Sequence, residues 1–251
     1  MVGIVGLHSE EESSKNRLSI VQAQEKSASD SALPQDRFAA DLRELGPLGI
    51  LAVLIVAAGQ IVPPLSAALV LIWIRLSHTP WREIGYVRPK SWLRSLVGGF
   101  AVGIPFKFLM KAIVMPLLGA NPTSQAYHYL VGNRAALPAA ILTMIVVAGF
   151  GEETVFRGYM FERLGKLFGR SRAARIVIVL VTTAAFASLH YFGQGMAGAE
   201  QAAVTGLVFG TIFAVTGRIW MLMCAHAAFD LTAVAIIYWN LESAVAHLIF
   251  K

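Results

Sequence analysis

From Gly46 onward the chain alternates apolar runs with short polar connections, and the runs approach the roughly 20 residues that a bilayer-spanning helix needs. The pattern predicts about six spans. The first, Gly46 to Ile74, is interrupted by "VPP" at Val62 to Pro64, so it reads either as one kinked helix or as a broken pair of half-segments. The second is Leu93 to Leu118, with Pro105 and Pro116 as kinks and Lys107 and Lys111 one turn apart. The third begins near Ala136 and runs into "GFGEETVFRGYMFERL", Gly149 to Leu164. The fourth is Ala173 to Phe192, the fifth the Gly-rich stretch Ala202 to Thr216, and the sixth Ile219 to Trp239. The expected fold class is all-α, a polytopic transmembrane helix bundle whose short connections force neighbours to pack. Residues 1–45 are polar and lack an apolar signal region, which predicts a disordered or loosely helical tail. Residues 46–74 form a first hydrophobic segment, 81–240 a membrane core and 241–251 a short C-terminal tail.

Composition agrees with the pattern. The 251 residues are 56% hydrophobic and 14% charged, with mean hydropathy +0.63, outside the soluble range. The net charge of +6 lies in short loops, "RLSHTPWREIGYVRPKSWLR" from Arg75 and "ERLGKLFGRSRAAR" from Glu162, where it sets topology; it does not point to nucleic acid. Both loops are expected to face the cytoplasm. The tail faces outside if the first segment is a single span and inside if that segment is double or re-entrant. Cys224 has no partner cysteine for a disulfide or a metal motif.

Against this background the acids beyond Gly46 are few: Glu83, Glu152, Glu153, Glu162, Glu200, Asp230 and Glu242. A charge in hydrocarbon costs about 2.5–3.5 kcal/mol on insertion scales, so intramembrane acids face protein or a wet cavity. On an α-helix Glu153 and Arg157 lie about 40° apart with the acid N-terminal, the favourable order for a pair, and Glu152 points about 100° away. Glu152 is thus free to address another helix. Downstream, "FASLH" places Phe186 and His190 four apart, and "HAAFD" does the same for His226 and Asp230. Singly, each group has a structural explanation, a hydrogen-bonded core histidine or an ion pair near a helix end. Together they form a set that a bundle interior can assemble into a site.

The series "EETVFR", "FASLH" and "HAAFD", in that order on successive segments, resembles the EExxxR, FxxxH and Hxxx(N/D) motifs of the CPBP family, the type II CAAX prenyl endopeptidases and their bacterial relatives, including bacteriocin-immunity proteins. "PWREIGYVRPKSW", Pro80 to Trp92, is similar to the elbow before the core of many bacterial members. The resemblance implies an intramembrane endopeptidase acting on a membrane-anchored protein or peptide in a bacterial cytoplasmic membrane. It implies Glu152 as general base assisted by His190, Glu153 with Arg157 beside it, and His226 with Asp230 on the oxyanion side. Asp230 stands where many members carry Asn, and an ionised Asp cannot donate a hydrogen bond. No cofactor is expected. Two Glu and two His are conceivable zinc ligands, yet no HExxH occurs, and a metal-free mechanism is the favoured reading. A non-catalytic scaffold or immunity protein on the same fold and an ion-coupled transporter are the rival functions, the latter disfavoured by the lack of a repeat between the halves. Lys107 and Lys111 are expected to snorkel or to pair with acids, Gly206 and Gly210 to let helices approach closely, and Trp81, Trp92, Trp220 and Trp239 to mark interfaces.

Overall fold

The structure, a computed structural model, describes residues 34–250; of the expected polar tail, 1–33 lie outside the described residues. The described residues form helices joined by loops, with no strand. We label the helices α1 (Pro34–Arg43), α2 (Pro47–Ala58), α3 (Pro63–Leu76), α4 (Trp92–Leu117), α5 (Leu137–Phe168), α6 (Arg172–Thr216), α7 (Trp220–Tyr238) and α8 (Glu242–Ala246). Among these, α4, α5, α6 and α7 are long and apolar enough to cross a membrane. A fifth crossing arises only if α1 and the following apolar stretch, bent by 62°, are counted as one span. The figure of about six is therefore not reproduced by helix length, and the departures lie at two breaks.

The first break is the VPP interruption. A 3-10 turn at Gly59–Ile61 and extended Val62 (φ −124°, ψ 91°) end α2 and restart the chain as α3. At about 1.5 Å per residue the two helices are about 18 and 21 Å long, too short for a hydrocarbon core of about 30 Å. They fold back on one another. Ser66 Oγ donates to Val56 O (2.9 Å) near the turn, and Trp73 Nε1 donates to Leu42 O (3.1 Å) at the open end. Arg43 also pairs with Glu83 across that end (2.8 Å). The segment is thus a hairpin with both ends on the face of the basic loops.

The second break is inside α6. Gly195 has φ 68°, ψ −162°, which no helix continues through, so α6 consists of two limbs, 172–194 and 196–216. A Cβ on Gly206 would meet Thr183 at 3.0 Å and one on Gly210 would meet Val179 at 3.3 Å, so the limbs lie antiparallel and in close contact. These two glycines serve a seam inside the chain.

The basic loops 76–91, 169–171 and 217–219 share one face. Ile219 N donates to Gly85 O (3.0 Å), and Arg163 Nη2 donates to Arg43 O (2.8 Å). The loop 118–136, the Gly195 turn and α8 lie on the other. Leu93, Leu96, Val97 and Phe100 point outward from α4, the expected lipid-facing band. The hairpin α2–α3 is part of the core: Val70 and Trp73 pack with Val155, Tyr159 and Phe186, and the Trp73 and Tyr159 rings meet edge-on at 4.9 Å.

Candidate active site

The site is built where three backbones come unusually close. Gly103 of α4 sits so near α7 that a Cβ would lie 2.1 Å from Ala225 O. Gly149 of α5 approaches Met223 O and Ala227 in the same way, at 3.0 and 2.9 Å. In α5 the backbone over Thr143–Glu152 and Thr154–Tyr159 is π-helical, with i→i+5 hydrogen bonds. Such widened turns are rare and collect at functional sites. They carry Glu152 and Arg157, and Glu153 joins the two.

Glu153 and Arg157 are almost wholly buried and paired (Nη1 to Oε1, 2.9 Å). The Arg157 guanidinium also lies 4.9 Å from the Phe186 ring centroid. Glu153 Oε1 accepts a second hydrogen bond, from His226 Nδ1 (2.6 Å). The sequence predicts the Glu153–Arg157 pair but not this third member. On the other ring edge, His226 Nε2 stands 3.5 Å from Asp230 Oδ2 and 3.7 Å from Glu152 Oε2. Glu152 Oε2 is buried with no hydrogen-bond partner. So the adjacent acids divide: Glu153 is locked into a structural triad, and Glu152 keeps an unengaged oxygen at the cavity.

That cavity, about 870 Å³, is lined by Glu152, Phe186, His190, His226 and Asp230 at its inner end. His190 Nδ1 lies 2.9 Å from Phe186 O, a contact that needs a proton on Nδ1 and leaves Nε2 as an acceptor. His190 makes no direct hydrogen bond or ion pair with Glu152, although both line the cavity. Counting from the basic loop makes Glu152 the shallower of the two. The difference is small because α5 continues past Arg157 to Phe168, about 24 Å beyond Glu152 at 1.5 Å per residue.

Two features had no signal in the motifs. Tyr86, in the elbow, bonds Thr154 Oγ1 (2.7 Å), and Thr154 itself donates to Phe150 O (2.6 Å), so Tyr86 must be the donor. Burial pushes the Tyr86 phenol up to about 12, with the Thr154 bond pulling the other way, so it stays a protonated donor at physiological pH. Thr154 is fully buried directly after the acid pair, so the elbow pins this turn from the basic face. On the opposite face Tyr127 receives a hydrogen bond from Gln194 (3.0 Å) and tethers the loop 118–136 over the cavity. Its phenol too is raised to about 12, first by burial and then by the negative charges of Asp230 and Glu152.

Among the described residues no group of three His, Cys, Asp or Glu is placed to hold a metal ion.

Residues 134–232 match the sequence model of a family described as type II CAAX prenyl endopeptidase Rce1-like. The match begins after the Pro80–Trp92 elbow and contains Glu152, Glu153, Arg157, His190, His226 and Asp230. Searches of curated proteins and of solved structures found no match. The three motifs lie inside this matched stretch and fold around one cavity, so over these residues the chain is similar to the type II CAAX prenyl endopeptidase Rce1-like family.

Proposed function

We propose that the protein hydrolyses a peptide bond in a membrane-anchored protein or peptide, with water activated between Glu152 and His190. The observation that carries this reading is the division of the acids: Glu153 is held by Arg157 and His226, while Glu152 Oε2 is buried, unpartnered and at the cavity.

Water in the cavity donates one proton toward Glu152 and the other toward Nε2 of His190, which is an acceptor because Nδ1 faces Phe186 O. As the water oxygen bonds to the scissile carbonyl carbon, Glu152 takes its proton and the carbonyl oxygen gains the negative charge. His226, protonated on both nitrogens, holds Glu153 through Nδ1 and turns Nε2–H to that oxyanion. Asp230, 3.5 Å from Nε2, orients the ring. Collapse of the tetrahedral intermediate breaks the C–N bond, and the proton on Glu152 passes to the leaving amine. No step requires a metal.

The test is cleavage of a reporter peptide by protein purified in detergent, compared with Glu152→Gln. Loss of turnover with an unchanged melting profile supports the reading. Equal turnover in both proteins excludes Glu152 as the base, and no turnover by the unaltered protein on any membrane-anchored reporter favours a scaffold or immunity role on the same fold.

A further inference from the structure

Two lysines enter the cavity from α4, and only one of them has an acid. Lys111 Nζ pairs with Glu242 Oε1 (2.9 Å) and donates to Pro122 O (2.5 Å), and Ser124 N donates to the same Glu242 oxygen (3.1 Å). That set closes the mouth of the cavity. Lys107 is different. It is 7% exposed, its Nζ donates to Gln201 Oε1 (2.8 Å), and it lies 4.6 Å from the Phe229 ring centroid. Among the described residues it forms no ion pair: Glu242 is held by Lys111, and Asp230, whose charge also acts on Lys107, stands 3.5 Å from His226.

An ammonium carries three donors, and Gln201 uses one. A buried cation in an apolar helix bundle is costly unless an anion or several acceptors complete its shell. The position is also close to the chemistry. Phe229, beneath Nζ, precedes Asp230 in the chain, and Gln201 and His190 stand at similar distances on either side of the Gly195 turn.

We propose that Lys107 Nζ is a carboxylate-binding subsite of this cavity, taking either the free C-terminus of a substrate or an Asp or Glu side chain a few residues from the scissile bond. Gln201 steers the ammonium, and the Phe229 face supplies the wall behind it. The proposal rests on the endopeptidase reading for its placement beside a scissile bond, but its test does not need turnover.

Equilibrium binding is measured with Glu152→Gln protein and three pools of short fluorescein-tagged apolar peptides: free acids, C-terminal amides, and amides carrying one Glu. One charge-assisted contact corresponds to about tenfold in affinity. Free acids binding about tenfold tighter than plain amides identify a C-terminal carboxylate, and the same advantage for the Glu pool identifies a side-chain carboxylate. Lys107→Met should erase the advantage and Lys107→Arg should keep most of it, a pattern that a purely structural counter-charge would not give. Equal binding of all pools, no binding of any, or a preference that survives Lys107→Met overturns the subsite. A Lys107-dependent preference in a protein that hydrolyses nothing would instead leave the subsite standing and remove the endopeptidase reading.

Discussion

At the residue scale, the adjacent glutamates predict opposite phenotypes. Removing one partner of a buried ion pair strands the other charge and costs about 3–5 kcal/mol. Arg157→Ala should therefore lower the melting temperature and the yield of folded protein, because it leaves Glu153 to His226 alone. Glu152→Gln, by contrast, loses no hydrogen bond at Oε2 and should melt like the unaltered protein. Equal loss of folded protein in both would contradict the division of roles. Asp230→Asn should be tolerated or should raise turnover, since a neutral amide can donate to an oxyanion where a carboxylate cannot. Activity should also survive prolonged chelation, because among the described residues no three donors converge. Stoichiometric zinc that leaves together with activity would reverse that expectation. Tyr86→Phe removes the donor to Thr154 without removing the ring, so a loss of about 0.5–1.5 kcal/mol in stability is expected, with a fall in kcat as the signature of a displaced Glu152.

At the scale of the elements, the close approach of α4 to α7 is the most sensitive joint. A methyl on Gly103 meets the Ala225 carbonyl, and Ala225 is bonded to His226, so the strain is delivered straight to the site. Gly103→Ala should lower stability by about 1–3 kcal/mol and reduce turnover, as overpacking does elsewhere. Gly165→Ala, with nothing within 4 Å of the new methyl, is the matched control and should melt unchanged. This joint explains what could be read in the chain and what could not. Apolar length marked α4, α5 and α7 within a few residues, because hydrocarbon sorts segments by composition alone. The i, i+4 spacing of Glu153 and Arg157 found their pair, because it is local. His226 bonding to Glu153 was invisible, since it depends on glycine-mediated contact between helices far apart in sequence. The π-helical turns of α5 were equally hidden: no residue type encodes them, and they arise where α5 fits against α3 and α7. For Lys107 the sequence offers snorkelling or an acid partner, and only the folded chain gives it Gln201.

At the scale of the whole molecule, the two faces differ in both charge and access. Outside the spans, loops 76–91 and 169–171 and Arg218 make one face basic, whereas the opposite face among the described residues carries Arg134 alone of Lys and Arg. The hairpin preserves this asymmetry, because it returns the chain to the face it left. Lys and Arg tend to be retained on the cytoplasmic side, which predicts that the basic face lies there. The cavity, however, reaches the other face, where Asn121 to Tyr127, Glu242 and His247 line it. Substrate should therefore enter from outside the cytoplasm, past the cap held by Lys111 with Glu242 and by Gln194 with Tyr127. Single cysteines test this in a Cys224→Ser background. Gln125→Cys on the cap should react with a membrane-impermeant maleimide added to intact cells expressing the protein, and Lys90→Cys on the basic face should react only after permeabilisation. A reporter peptide added outside should then be cleaved by the same cells. The reverse labelling pattern would place the mouth in the cytoplasm, and would turn the search for substrates toward proteins anchored on the inner leaflet.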